Sequence, residues 1–104
     1  MRRGEVWWAE LPLLAGRRPV LLLSRNEAYP VRDLVIVARL TSRMRRIASE
    51  VELGRSDGLP RRCVANLDTL TTIPKRVLTE RLTALPAGKL AAIDRALRFA
   101  LGLV

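Results

Sequence analysis

The feature that most limits the fold of this chain is a series of short apolar or alternating segments, each the length of a β-strand. Residues 20–24 and 34–41 are continuous apolar runs, and the second is rich in β-branched side chains, which is typical of a buried strand. Residues 49–53 alternate polar and apolar side chains, as a half-exposed strand does. Further extended segments are predicted over residues 5–11, 63–73 and 80–84.

The segments between these strands carry turn and loop signals. Gly and Pro predict turns at residues 12–16 and 57–60, and a loop at residues 26–32. Residues 42–46 are basic and have no periodic apolar face, so we predict an exposed loop there. A single helical turn is predicted at residues 74–78.

The C-terminal part of the chain has a helical pattern. Between residues 86 and 103 the apolar residues that share one helix face are Leu90, Ile93, Ala96, Leu97, Ala100 and Leu101. Pro86 suits the first turn. Phe99 and Leu103 lie off this face and either add to the core or form an intermolecular contact. We therefore predict an α+β fold, a small, mostly antiparallel β-barrel or curled sheet with one C-terminal α-helix.

Length and hydropathy limit the class of protein. A chain of 104 residues has room for one domain, predicted over residues 1–104, and 49% hydrophobic residues are enough for a core. The uncharged apolar runs are far too short to span a bilayer. We expect a soluble, cytoplasmic protein with no membrane partner.

The charge predicts a polyanionic partner. The chain has 19 basic and 10 acidic residues, a net charge of +9, and 17 of the basic residues are Arg. A genome rich in G and C favours Arg codons and accounts for much of the Arg-to-Lys ratio, but it does not account for the net charge. A small domain this basic usually binds nucleic acid, before membrane.

Several kinds of active site are excluded by composition. The chain has no His, so Ser-His-Asp, Cys-His and His-paired ribonuclease sites are ruled out. Cys63 is the only cysteine; it has no disulfide partner within the chain, and we expect it to be a small buried hydrophobic residue. The four Asp residues are scattered, so no metal site and no cofactor are predicted.

Arginine beside hydroxyl groups remains as the candidate chemistry. Arg18 precedes a predicted strand and Thr41 ends the next one, so their side chains meet at one phosphate if these strands are neighbours. RNA carries its own nucleophile, the 2′-hydroxyl, and its cleavage needs donors that stabilise charge on the phosphate. Each residue taken alone is more often structural: an Arg at a strand start is usually solvated, and a Thr at a strand end is usually a β-former.

The order of several motifs resembles the MazF/PemK (Kid) family of toxin endoribonucleases over essentially the whole chain. The matching segments, in order, are Arg-Gly-Glu-Val-Trp-Trp-Ala-Glu-Leu-Pro at 3–12, Gly-Arg-Arg-Pro-Val-Leu-Leu-Leu-Ser at 16–24, Val-Ile-Val-Ala-Arg-Leu-Thr-Ser at 35–42, Cys-Val-Ala-Asn-Leu-Asp at 63–68, Thr-Ile-Pro-Lys-Arg at 72–76 and Ala-Leu-Arg-Phe-Ala-Leu-Gly-Leu at 96–103. Each segment alone is weak, whereas six in the same order and spacing are specific.

The resemblance implies an SH3-like (CcdB/PemK-like) barrel with a C-terminal helix, acting as a homodimer. It implies metal-independent, sequence-selective cleavage of single-stranded RNA to a 2′,3′-cyclic phosphate and a 5′-hydroxyl, blocked by a small MazE-like antitoxin. The family's catalytic arginine and threonine fall on Arg18 and Thr41, and a family hydroxyl that contacts RNA falls on Ser42. The acidic position that is the general base in some members falls on Asp68.

Two departures leave the general base and acid open. Asn66 and Thr71 stand where members of the family often carry Arg, and Glu10 is a further candidate acid beside Asp68. The remaining candidate RNA contacts are the arginines Arg17, Arg43, Arg45 and Arg46, the last three in the basic loop.

The two tryptophans point to opposite faces of the first strand, so only one is naturally in the core. The other is expected at the dimer interface or, as the alternative, stacked on a base.

Three functional hypotheses follow. The first is an RNA endonuclease toxin. The second is a non-catalytic toxin of the same fold that binds a protein target such as gyrase, and such a protein would need neither Arg18 nor Thr41. The third is an RNA-binding module that binds in a salt-sensitive way and forms no product.

Overall fold

The computed structural model describes residues 1–11 and 16–103. The strands are β1 (Glu5–Glu10), β2 (Arg17–Leu22), β3 (Leu34–Thr41), β4 (Glu50–Leu53), β5 (Cys63–Pro74) and β6 (Leu78–Ala84). One α-helix, α1 (Ala87–Leu101), follows them, and short 3-10 turns lie at Asn26–Ala28, Arg55–Asp57 and Lys75–Val77.

The strands form one curled antiparallel sheet in the order β4-β5-β3-β2-β1-β6. Every pairing is antiparallel, and β3 holds a central place between β2 and β5. The predicted α+β class, with a small curled barrel and a C-terminal helix, is confirmed. No helix of the described residues is long and apolar enough to cross a membrane.

Each face of the sheet carries its own apolar cluster. The first cluster is covered by α1, and its fully buried members include Val6, Leu21, Leu53, Leu67 and Ile93. The second cluster lies on the other face, and its buried members include Ala9, Val20, Leu22, Val35 and Val37. Alternation along β2 and β3 therefore assigns successive side chains to different cores.

The N-terminal motif holds the helix on the sheet. Arg3 donates from Nε to the Leu23 carbonyl (3.1 Å) and from Nη2 to Asp94 Oδ1 (2.7 Å) of α1. Gly4 has a φ of +92°, and a Cβ there would lie 3.2 Å from the Leu90 side chain. This close approach at a left-handed backbone position is suited to glycine, so the Arg-Gly pair has a structural role.

Some boundaries and contacts differ from the sequence prediction. β2 begins at Arg17, three residues before the predicted start, because Arg17 and Arg18 pair with the end of β1. In α1, Ile93 and Ala96 are buried as predicted, but Leu101, which was predicted on the same face, is 54% exposed. Of the loop predicted at residues 12–16, only Gly16 lies among the described residues.

Phe99 and Leu103 do not add to the core. They are 63% and 59% exposed, so of the two readings offered for them the core contact is wrong. Leu101 is exposed as well, and we call these three separately exposed apolar residues around the end of α1 the helix-end patch.

Candidate active site

Arg18 and Thr41 come together where β2 begins and β3 ends. The two strands pair in antiparallel register, and the pairing ends at Val20 opposite Arg39. Arg18 and Thr41 each lie two residues beyond this last pair, on the same side of it. Both residues line a cavity of about 310 Å³, the first cavity, and an adjoining one of about 380 Å³, the second cavity. The fold therefore places both side chains at one site.

The position of this site follows from strand alternation. Arg18 is two residues before the buried Val20, and Arg39 and Thr41 follow the buried Val37 at the same spacing. All of these side chains therefore share the face of the second apolar cluster. The face becomes cationic where the strands leave the core, which keeps the guanidinium groups in contact with solvent.

The first cavity is strongly cationic. Its lining residues are Arg18, Arg39, Leu40, Thr41, Arg43, Arg45, Asn66 and Thr69. Among these described residues four are arginines and none is acidic, so the cavity attracts an anion and repels a divalent cation. The planar, forked guanidinium group matches the paired oxygens of a phosphate, so a phosphodiester fits this lining.

The hydroxyl of Thr41 is oriented for donation. Its Oγ1 accepts a hydrogen bond from the backbone N–H of Arg43 (3.2 Å), and among the described residues no other partner is assigned to it. The hydroxyl proton is thus available to an incoming oxygen, while the accepted bond restricts rotation of the side chain.

The second cavity extends the cationic surface toward β1 and the turn before β5. Its lining includes Arg17, Ser42, Arg61 and Arg62 as well as Arg18 and Thr41. Ser42 therefore lines the same cavity as Thr41, and its predicted contact with RNA stays a prediction. Arg61 and Arg62 are both exposed, and Arg62 is ion-paired with Glu52.

Arg17 is held in place by two contacts. Its guanidinium lies 4.7 Å from the centre of the Trp8 ring, and its Nη1 is 3.0 Å from Glu80 Oε1. The Trp8 face is therefore covered by Arg17 within the chain, where we expected a dimer partner or an RNA base. Trp7 packs against the second apolar cluster and donates from Nε1 to Glu5 Oε1 (2.9 Å).

Cys63 lines the second cavity but is not a thiolate nucleophile. It is half-buried against the first apolar cluster, in partial agreement with the expectation of a buried hydrophobic residue. Burial raises the pKa of its thiol, and the carboxylate of Asp57 raises that pKa further. At neutral pH the thiol is protonated, and its nucleophilicity is accordingly low.

An irregularity in β5 brings two more polar side chains to the first cavity. Between Ala38 and Leu40 of β3 the register with β5 shifts, so several β5 residues face one position of β3. Such a bulge redirects side chains and is frequent beside active sites. Here Asn66 and Thr69 line the cavity.

Asp68 lies in the same bulge but does not line either cavity. Its Oδ2 accepts a hydrogen bond from the hydroxyl of Ser49, which is 1% exposed, and its backbone N–H donates to Asn66 Oδ1 (2.9 Å). The structure thus brings Arg18 and Thr41 together and turns the carboxylate of Asp68 toward Ser49.

Of the other predicted site residues, some line a cavity and some do not. Arg43 and Arg45 of the basic loop line the first cavity, whereas Arg46 and the exposed Glu10 line neither cavity. Sequence reasoning missed Arg39 and Arg61. The exposed Arg39 interrupts the apolar run of β3 two residues before Thr41, and that interruption was the available signal.

Within residues 1–11 and 16–103, no group of three or more His, Cys, Asp or Glu side chains is arranged to hold a metal ion. The described lining of the two cavities contains arginines, hydroxyls, an amide, apolar groups and the single thiol of Cys63, a set without the several oxygen ligands that a hard divalent cation needs.

Comparisons with known proteins agree with one another. A family model described as PemK-like, MazF-like toxin of type II toxin-antitoxin system matches residues 2–101. A probable endoribonuclease MazF5 of Mycobacterium tuberculosis (strain ATCC 25618 / H37Rv) is 44% identical over 99 residues, which are 94% of this chain and 90% of that protein. A probable endoribonuclease MazF2 of the same strain is 37% identical over 103 residues, 98% of this chain and 99% of that protein.

Solved structures show the same relationship. An endoribonuclease in complex with its cognate antitoxin, from a mycobacterial species, superposes with a TM-score of 0.88 at 32% identity, covering 100% of this chain and 97% of that one. A MazE-MazF structure from Deinococcus radiodurans gives a TM-score of 0.83 at 28% identity, with 100% and 97% coverage. This chain therefore belongs to the PemK-like, MazF-like toxin family of type II toxin-antitoxin systems.

Proposed function

We propose that this chain is a toxin endoribonuclease that cleaves single-stranded RNA with Arg18 and Thr41, without a metal ion or other cofactor. The observation that carries the proposal is the convergence of these two side chains on a cavity whose described lining includes four arginines and no carboxylate. A phosphodiester is the substrate group that such a lining binds best.

The reaction is an in-line attack within the RNA. The 2′-oxygen forms a bond to the adjacent phosphorus, and the bond from phosphorus to the 5′-oxygen breaks, which leaves a 2′,3′-cyclic phosphate and a 5′-hydroxyl. The 2′-hydroxyl gives up its proton to a base, and the leaving 5′-oxygen receives one.

Arg18 and Thr41 act on the negative charge that grows on the non-bridging phosphate oxygens. The guanidinium supplies charge and paired donors. The Thr41 hydroxyl, whose oxygen already accepts a hydrogen bond from Arg43 N–H, donates a hydrogen bond to a non-bridging phosphate oxygen. A preorganised donor of this kind lowers the barrier by about 3–4 kcal/mol.

Proton transfer by Asp68 stays a prediction. To reach a substrate at the first cavity, its carboxylate has to leave the Ser49 hydroxyl by rotation of the side chain. Asp68→Asn tests the role. If Asp68 transfers a proton, loss of the carboxylate should lower kcat strongly; if Asp68 only supports the bulge, the amide should be tolerated.

The arginines around the site bind the phosphates next to the scissile one. We assign this role to Arg17 in the second cavity and to Arg43 and Arg45 in the first, with Ser42 as a hydroxyl donor between them. Arg46, which is exposed on the basic loop, is assigned to a more distant phosphate. Sequence selectivity and the identity of the RNA depend on bases that these contacts do not read.

The partners follow from the family and from exposed apolar surface. We propose that a MazE-like antitoxin blocks the RNA site, in line with solved relatives that are complexes with antitoxins. The helix-end patch of Phe99, Leu101 and Leu103, more than half exposed at each residue, supports a homodimer built on this surface. An RNA substrate and an antitoxin partner are both met in the cytoplasm, so we place the toxin there.

The decisive experiment is incubation of the purified protein with a defined single-stranded RNA in excess EDTA. We expect cleavage, with 5′ ends that accept a phosphate from polynucleotide kinase without prior dephosphorylation, and 3′ ends that carry a cyclic phosphate. Arg18→Ala and Thr41→Ala are expected to abolish cutting while the circular dichroism spectrum is unchanged. Arg32→Ala, which removes an exposed arginine outside both cavities, is the matched control.

Three results would refute parts of this proposal. If EDTA stops cleavage, the metal-free mechanism is wrong; if both site variants cut at the wild-type rate, the assigned site is wrong. Salt-sensitive RNA binding without any product would identify a binding module. The comparisons do not favour a non-catalytic toxin that binds a protein target, since the named relatives are endoribonucleases.

A further inference from the structure

The basic loop between β3 and β4, residues 43–46, has a conformation that needs support. Arg43 and Arg45 line the first cavity, and Arg46 follows directly, so three cationic side chains are crowded into four residues. Like charges at this spacing repel one another. Arg46 also has a φ of +58°, a left-handed conformation that is unfavourable for a residue with a Cβ.

Glu50 supplies that support from the first position of β4. Its Oε1 accepts hydrogen bonds from the backbone N–H groups of Arg45 (2.8 Å) and Arg46 (3.0 Å). Its side chain is only 3% exposed, and its Oε2 lies 3.9 Å from Arg45 Nη1 with no hydrogen-bond partner. A buried carboxylate thus holds the backbone of the loop at the left-handed residue.

The other end of the loop is attached to the active site. Arg43 N–H donates to Thr41 Oγ1 (3.2 Å), so the loop is held at one end by the proposed catalytic threonine and at the other by Glu50. The side chains of Arg43 and Arg45 between these two attachments face the first cavity. Without the Glu50 side chain, this end of the loop loses the two hydrogen bonds to the backbone of Arg45 and Arg46.

We propose that Glu50 is a positioning residue for RNA: through its two backbone hydrogen bonds it presents Arg43 and Arg45 to the phosphates beside the scissile bond. Glu50 does not touch the substrate in this role. The inference rests on the proposed function, because it needs RNA in the first cavity.

The sign of the effect separates positioning from simple electrostatics. Removal of the Glu50 charge raises the net charge of the protein by one unit, which by itself tightens RNA binding. Loss of positioning weakens binding, because two phosphate contacts are lost. For a single strand each lost contact reduces the slope of log affinity against log salt by about 0.7, so Glu50→Ala should reduce it by about 1.4.

The experiment measures affinity for an RNA oligonucleotide that carries the mapped cleavage site with a 2′-deoxy residue at the scissile position, between 50 and 200 mM salt. Over this range the wild-type protein should lose about sevenfold more affinity than Glu50→Ala, which follows from the slope difference of about 1.4. Glu50→Gln keeps an acceptor for the two N–H groups and should restore the wild-type slope. In cleavage assays Glu50→Ala should raise KM and leave kcat near wild type.

Two further variants separate the charge of Glu50 from its position. Glu27→Ala, at an exposed glutamate in the turn Asn26–Ala28, makes the same charge change away from the loop and should bind RNA as well as or better than wild type. Glu50→Asp keeps the charge but shortens the side chain, so it should weaken binding at constant net charge. If circular dichroism shows that Glu50→Ala is unfolded, Glu50→Asp takes its place in the binding experiment.

An unchanged or tighter affinity with the wild-type slope, in folded Glu50→Ala or Glu50→Asp, would overturn the positioning role while wild-type cleavage stands. Failure of the wild-type protein to bind or cut RNA would overturn the proposed function and this inference together.

Discussion

Thr41→Val removes one hydroxyl at nearly constant volume, and the structure allows its effect on catalysis to be separated from its effect on stability. Within the described part of the chain the hydroxyl has one assigned contact, the bond it accepts from Arg43 N–H at an exposed position. Water replaces that acceptor, so the expected loss of stability is below about 1 kcal/mol. A domain with a typical unfolding free energy of about 5–15 kcal/mol stays fully folded after such a loss.

The catalytic effect of the same change is much larger. A donor aimed at the charge that develops on a phosphate contributes about 2.7–4 kcal/mol, so kcat should fall by about 10²–10³-fold. Binding of the ground-state RNA depends mainly on the arginines, so KM should change little. Thr41→Ser keeps the hydroxyl and should retain most of the activity.

Single-turnover cleavage of an oligoribonucleotide in EDTA, with enzyme in excess, measures this step directly. Urea unfolding of the same samples measures the stability of each variant. A loss in kcat smaller than tenfold for folded Thr41→Val would show that the hydroxyl does not stabilise the transition state. A Thr41→Ser variant as inactive as Thr41→Val would lead to the same conclusion.

Three other predictions concern stability and assembly. Gly58→Ala combines a φ of +89° with a Cβ only 2.2 Å from Thr83 Oγ1, so we expect a loss of about 2–5 kcal/mol in urea unfolding. Gly102→Ala, with a φ of +69° and no atom within 4 Å, should lose about 1–2 kcal/mol, and equal losses would refute the steric argument. Burial raises the pKa of Tyr29, the only tyrosine, to about 12 from an ordinary value of 10.0. The unfolded chain ionises first, so stability present below pH 10 falls as the pH rises toward 12; tyrosinate absorbance of the folded protein titrating near pH 10 would contradict this. Phe99→Glu places a charge in the helix-end patch and should give a monomer in sedimentation experiments, and a dimer of unchanged stability would place the interface elsewhere.

Much of the architecture could be predicted because strand and helix periodicities are local. The bounds of β3 are those predicted from its apolar, β-branched run, and the buried face of α1 contains the predicted Ile93 and Ala96. The start of β2 could not be read in this way. Arg17 and Arg18 are polar, and only pairing with β1 makes them part of a strand.

Some residues of the candidate site could likewise be predicted from the sequence, and others could not. Arg18 and Thr41 were found from the order of motifs and from the chemistry that an arginine and a hydroxyl can perform on a phosphate. Arg39 was missed because membership of the cavity depends on the register of β2 against β3. Asn66 depends on the irregular pairing of β3 with β5, which no local pattern in the sequence reveals.

The sequence by itself determined the α+β class, the net positive charge that favours a polyanionic partner, and the two residues at the centre of the proposed chemistry. Only the tertiary structure decided which groups surround them: it turned Asp68 toward Ser49 and placed Glu50 under the basic loop. The physical reason is that composition and periodicity act over a few residues, whereas a cavity is assembled from strand register, a bulge and loop hydrogen bonds between residues far apart in the chain.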